Sequence, residues 1–180
     1  MLAFNVAQLL KEGTGASRQR ELSGELRNID DNSPEPVRVE GRVHLVVTPE
    51  GVLAMGEATM TLRQTCRRCL ESTDATVTIE IEEEFYPTID IETGRQASME
   101  HDDEPELLID EHHILDLTEV LRQYAIAQTL EPGYCRADCK GLCPVCGVNR
   151  NLETCTCETQ QVDPRLAILA QLLGTSESQE

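Results

Sequence analysis

Paired cysteines carry the chemistry legible in this chain. Six of its eight cysteines fall between Cys135 and Cys157, and the other two form a separate pair, Cys66-Arg67-Arg68-Cys69. In Cys143-Pro144-Val145-Cys146-Gly147 two thiols are separated by two residues, one of them proline, with a glycine just beyond. That form suits a tetrahedral zinc site: proline stiffens the turn, and glycine takes the positive φ that lets backbone N–H groups turn back toward sulfur. The expected cofactor is zinc, structural in role, as one or two ions. Cys143, Cys146, Cys155 and Cys157 are expected to form one site, because the eight residues between Cys146 and Cys155 close a compact loop. Cys66, Cys69, Cys135 and Cys139 would complete a second.

A disulfide framework is the alternative reading of an even number of cysteines, and it belongs to secreted chains. The start of the sequence, Met1-Leu2-Ala3-Phe4-Asn5-Val6-Ala7, has no positively charged opening, no sustained apolar core and no small-residue cleavage site. No apolar run approaches the ~18 residues of a membrane span. The expectation is a soluble cytoplasmic protein with no membrane partner, whose reduced thiols favour metal.

The formal net charge is -18, with 33 acids against 15 bases in 180 residues. Between Thr78 and Glu119 stand 15 of the acids and only one base, Arg95, so the remainder holds 18 acids and 14 bases. Bulk nucleic acid would be repelled by the acidic segment and tolerated elsewhere. Several bases lie beside the cysteines: Arg63, Arg67 and Arg68 near the first pair, and Arg136, Lys140 and Arg150 near the cluster. One role for them is local, since four thiolates on one zinc leave a net charge of about −2. The other is phosphate contact, which makes these six the candidate RNA-binding residues. No aromatic residue interleaves with them in the sequence to offer stacking. His101, His112 and His113 have carboxylates nearby but no nucleophile and no spaced ligand set.

The elements that must position the thiols can be read from periodicity. Val6, Leu9 and Leu10 share a helical face between Asn5 and Glu12, with Asn5 as cap and Gly13-Thr14-Gly15 as terminator. Val37, Val39, Val43, Leu45 and Val47 alternate with polar residues, Thr48-Pro49-Glu50-Gly51 signals a turn, and the pattern returns through Leu53, Met55, Ala58, Met60 and Leu62. A third alternating run, Thr76 to Glu82, puts Cys66 and Cys69 at the tip of a hairpin, with Glu80, Glu82 and Glu84 on a solvated face. About 87–112 reads as a mobile acidic loop. Asp116 caps a second helix bearing Leu117, Val120, Leu121 and Tyr124 on one face. Asp163-Pro164 opens a third that ends before Gly174. With no Trp, two Phe and three Tyr, the core must be aliphatic.

The fold class expected is α+β: an antiparallel sheet or partly open barrel flanked by short helices, with a C-terminal cysteine-rich zinc module. Its parts would be a β domain at 1–130, the zinc module at 131–160, a helix at 161–174 packed on the body, and a disordered tail at 175–180.

Asn5-Val6-Ala7-Gln8-Leu9-Leu10, Cys66-Arg67-Arg68-Cys69-Leu70, the core Cys139-Lys140-Gly141-Leu142-Cys143-Pro144-Val145-Cys146-Gly147, Cys155-Thr156-Cys157 and Asp163-Pro164-Arg165-Leu166 occur in this order along the chain. Together they resemble the bacterial YceD family across nearly the whole length. That family is described as a large-subunit (23S) ribosomal RNA accumulation protein, with plastid relatives also tied to ribosomal RNA. The resemblance implies a non-enzymatic factor in ribosome biogenesis, supporting the accumulation or processing of that RNA. Its partner would be ribosomal RNA or its precursor, or a basic ribosomal protein or processing nuclease, with no small-molecule substrate. A basic protein would meet the acidic segment at Asp102, Asp103, Glu104 and Glu106. Two other readings are a zinc-ribbon adaptor and a redox-switched chaperone, since the CxxC and CxC pairs are similar, in reverse order, to the zinc centre of the bacterial redox-regulated holdase. An enzyme is not expected: there is no Gly-rich phosphate loop, nucleophile elbow or HExxH, and a closed four-thiolate zinc has no open coordination position.

Overall fold

The computed structural model describes residues 1–29, 35–97, 104–130 and 133–157. Alternation dictates its centre. Strand β3 (Val37–Val47) and strand β4 (Val52–Thr65) pair antiparallel through the Thr48–Gly51 turn, with Val39 opposite Met60 and Val47 opposite Val52. The Thr48 hydroxyl closes the turn by accepting the Gly51 N–H at 2.8 Å. β4 continues through the Cys66–Glu71 tip into β5 (Ser72–Pro87), paired from Thr65 with Ser72 to Val52 with Phe85. Val39, Val43, Leu45, Ala58, Leu62, Ile79, Ile81 and Phe85 are buried, while Glu80 and Glu82 face solvent. The strands curl the sheet into a half-barrel. Gly41 and Gly56 allow the two strands to approach closely, because a Cβ on either would lie 2.1 Å from a carbonyl oxygen of the neighbouring strand.

Two regions differ from the sequence reading. Strand β2 (Ser17–Leu26) extends the sheet beside β3, although only Leu22 and Leu26 along it are buried and the rest is polar. Its cross-strand partners supply the order that its own periodicity does not. The described parts of the acidic segment, 87–97 and 104–112, are also more structured than a mobile loop. β6 (Leu108–Ile109) pairs parallel with Tyr86 and Pro87, Ile109 is fully buried, and the Thr88 hydroxyl donates to the Ile109 carbonyl at 2.9 Å. Asp90 turns the chain through the N–H of Thr93 at 2.7 Å, and Ile89 bridges Gln96.

The short helix α1 (Ala7–Glu12) starts after Val6, so Asn5 acts one residue outside the cap position, accepting the Ala7 N–H at 3.1 Å. β1 (Ala3–Asn5) pairs with β7 (Ile114–Asp116). Asp116 then accepts the Thr118 N–H at 2.9 Å and opens helix α2 (Thr118–Leu130). Leu117, Val120, Leu121 and Ala125 close the open side of the half-barrel. Tyr124 donates its hydroxyl to Glu83, whose odd-numbered position turns it to the core side of β5; burial, then Glu83, pushes the phenol up to about 12. Among the described residues no helix is long and apolar enough to cross a membrane. The expected third helix and the tail lie outside the described residues.

One buried side chain helps to fasten the start of the cysteine loop to this body. Gln64 is the single buried polar residue described, and it donates to the Gln128 carbonyl of α2 at 3.2 Å while accepting the Gly133 N–H at 3.4 Å. One side chain thereby ties the hairpin, the end of the helix and the start of the loop.

Candidate metal centres

Both Cys-x-x-Cys turns fold alike. In the first, the Cys66 N–H donates to the Glu71 carbonyl at 2.9 Å and the Leu70 N–H to the Cys66 carbonyl at 2.9 Å. In the second, the Cys143 N–H donates to the Val148 carbonyl at 2.8 Å and the Gly147 N–H to the Cys143 carbonyl at 2.9 Å. The residue after each second cysteine has a left-handed backbone, Leu70 with φ 59 and Gly147 with φ 76. Folded this way, a turn brings both thiols to one side and aims backbone N–H groups at the first sulfur.

Each turn meets a second cysteine pair. Cys66, Cys69, Cys135 and Cys139 form one tetrad and Cys143, Cys146, Cys155 and Cys157 the other, with the sulfurs of each within 4.8 Å of one another. In the first tetrad the Sγ atoms of Cys66 and Cys139 are 3.8 Å apart and those of Cys69 and Cys135 3.6 Å apart. All eight thiols are free. A tetrahedron of sulfurs about 2.3 Å from a central ion has edges of about 3.8 Å, so the first set matches the spacing of a four-thiolate metal site. Tetrahedral sulfur ligation suits zinc or iron.

The electrostatics agree with that donor set. Backbone N–H groups of Cys135 and Cys69 hold the Cys66 thiol down at about 6, and those of Cys146 and Val145 do the same for Cys143. Burial pushes Cys135 up to about 12, while the Cys146 thiol and burial push Cys157 up to about 12. In each tetrad one sulfur ionises readily and another resists, because of burial and the neighbouring sulfurs that would place a second charge beside the first. A divalent cation removes that conflict.

Around the first tetrad, the Arg68 guanidinium donates to the Cys139 carbonyl at 3.2 Å and lies 4.3 Å from the centre of the Tyr134 ring. Arg67 lies 5.7 Å from the same ring. Tyr134, half exposed, therefore stands among the bases. The sequence reading missed it although it directly precedes Cys135, because its contact is with residues far back in the chain. The other bases are dispersed: Arg63 lies opposite Asp74 on the hairpin, Arg136 is 3.7 Å from Asp138, and Lys140 and Arg150 are exposed on the loop. Asp102, Asp103 and His101 lie outside the described residues. Glu104 is exposed, while Glu106 accepts from Gln123 at 3.0 Å, a bond that holds its carboxyl below the usual range. Among the described residues no histidine joins a metal-ligating group.

The family model described as "Large ribosomal RNA subunit accumulation protein YceD" matches residues 54–173, a range that contains all eight cysteines. Uncharacterised proteins of Mycobacterium tuberculosis and Mycobacterium bovis are 33% identical over 127 residues, which are 69% of this chain and 57% of theirs. The chain thus spans little more than half the length of these curated relatives. No solved structure matches it. With a family match over most of the sequence, from the middle strand of the sheet through both cysteine tetrads, the chain belongs to the YceD family.

Proposed function

We propose that this protein is a non-enzymatic, cytoplasmic factor that supports accumulation of large-subunit ribosomal RNA by direct contact with the RNA, and that its tetrads hold structural zinc. The family description supports a ribosome-biogenesis role. The observation that favours RNA over a basic protein is Tyr134, half exposed and flanked by Arg67 and Arg68 at the hairpin tip. An aromatic face beside guanidinium groups is what an unpaired base stacks on. Zinc would brace this platform from below, since Arg67 and Arg68 lie between two of its ligands.

Charge limits how such contact works. The six candidate bases stand with Glu71, Asp74, Asp138 and Glu153, and two four-thiolate zinc ions would add about −2 each. Few phosphates are therefore engaged, and stacking carries most of the affinity. Tyr134→Ala should cost roughly 1–3 kcal/mol of binding to single-stranded large-subunit RNA. Arg67→Gln should give a smaller loss and flatten the salt dependence by about one phosphate contact. Cellular levels of precursor and mature large-subunit RNA should fall with both variants. Unchanged RNA levels in these, with loss on neutralising Asp102, Asp103 and Glu104, would transfer the contact to a basic protein.

A further inference from the structure

The loop that closes the second tetrad also reaches the first. Asn151 belongs to the segment between Cys146 and Cys155, yet its Nδ2 donates to the Sγ of Cys139 at 3.4 Å. Its Oδ1 accepts the Lys140 N–H at 2.8 Å, so the amide grips both the thiol of Cys139 and the main chain just after it. Asn149 holds Asn151 in place: the Asn149 Oδ1 accepts the Asn151 N–H at 3.0 Å and its Nδ2 at 2.9 Å. The Nδ2 of Asn149 donates in turn to Glu71, at 3.3 Å, at the base of the first Cys-x-x-Cys turn. A main-chain tie runs alongside, from the Leu142 N–H to the Arg68 carbonyl at 3.0 Å.

We propose that the two tetrads bind metal with positive coupling and that Asn151 is the positioning residue that transmits it. The inference rests on the metal-binding reading. Its physical basis is order. Residues 147–154 carry few buried side chains, and Leu152, Glu153 and Thr154 are exposed, so this segment loses conformational freedom when it docks on Cys139. A metal on Cys146 and Cys155 fixes both ends of the segment and supplies that order in advance. The Asn151 side-chain Nδ2 is then already aimed at Cys139, where it stabilises the thiolate that the first centre needs. By linkage the effect is reciprocal: metal in the first tetrad favours binding in the second by the same factor.

Cobalt(II) titration of the full chain, read by sulfur-to-cobalt charge-transfer absorption and checked by ion count in native mass spectra, tests this. Cys155→Ser with Cys157→Ser leaves only the first tetrad, whose cobalt affinity should fall about tenfold below its value in the intact protein. Asn151→Ala keeps all eight thiols and should produce a similar loss at the first tetrad, so the result does not depend on a variant that has lost a site. Combining the two changes should weaken the first tetrad little beyond either alone, because each breaks the same link. Two ions bound with independent affinities, or Asn151→Ala leaving the first tetrad unchanged, would overturn the coupling while sparing the metal reading. No thiolate-cobalt absorption at all would overturn both.

Discussion

The chain builds one loop twice on unequal supports. Cys66 and Cys143 make the same pair of backbone hydrogen bonds, to Glu71 and Leu70 in one case and to Val148 and Gly147 in the other. The flanking residues also correspond: Thr65 pairs antiparallel with Ser72, and Leu142 with Asn149. Below the first loop lie two long strands, whereas below the second there is a single β-bridge. Depth follows support. In the first tetrad Cys66, Cys69 and Cys139 are 0%, 3% and 4% exposed and Cys135 is intermediate, while in the second only Cys143, at 2%, is buried, Cys146 is exposed and Cys155 and Cys157 are intermediate. A four-residue motif thus fixes the geometry of a half-site, and the elements beneath it decide how far that site is shielded from water.

The largest expected effect comes from withdrawing metal. Structural zinc supplies about 10–16 kcal/mol in comparable small modules, more than residues 133–157 obtain from apolar burial. Native mass spectrometry should count two ions, and a chelator should remove the shallow one first. Hydrogen exchange should then find the amides of 133–157 open while β3, β4 and β5 stay protected. Loss of the buried ion first would break the link between depth and retention.

Breaking one ligand in each tetrad sharpens the contrast. Cys66→Ser leaves a hydroxyl in a fully buried site on the end of β4, at a cost of roughly 1–3 kcal/mol beyond the lost metal. The thermal unfolding of the β body should shift downward. Cys155→Ser sits away from that body and removes only the second ion, so it should change the body's unfolding by less, at most the ~1.4 kcal/mol of a tenfold weaker first centre. Equal shifts from both would mean that the shallow tetrad is as much a part of the core as the deep one.

The same contrast explains what the sequence made legible. Cysteine spacing is local information, so the two half-sites and the β4–β5 hairpin could be read directly. The acidic segment reads as mobile in sequence because its anchors are single residues, Ile109 in the core and Thr88 on its carbonyl, and isolated anchors leave no period. β2 was missed for a related reason: Leu22 and Leu26 are its only buried residues, and β3 provides the pairing. Tyr134 and Asn151 were invisible as site residues because each acts on a partner brought near only by the fold. Asn149 and Asn151 do read as turn residues. Their amides on Glu71 and Cys139 have no counterpart in local pattern.

The smallest effect concerns the left-handed residue that ends each loop. Gly147 takes φ 76 without penalty, whereas Leu70 takes φ 59 with a side chain attached. A non-glycine residue there costs roughly 1–2 kcal/mol. Gly147→Ala should therefore weaken the second centre by roughly 1 kcal/mol, read as easier chelator extraction of that ion. Leu70→Gly relieves the corresponding cost in the first loop but gives the unfolded chain more freedom, which offsets about 0.5–1 kcal/mol. The net gain should be roughly 0.5 kcal/mol, because the Leu70 side chain is 63% exposed and leaves little packing to lose. Strong support permits the strained residue in the first loop: β4 and β5 hold Cys66 and Ser72 whatever Leu70 prefers. The second loop lacks such strands and needs glycine. If Leu70→Gly instead lowered stability by more than 1 kcal/mol, the exposed leucine would have a contact of its own, and the two loops would differ in what they touch as well as in what lies beneath them.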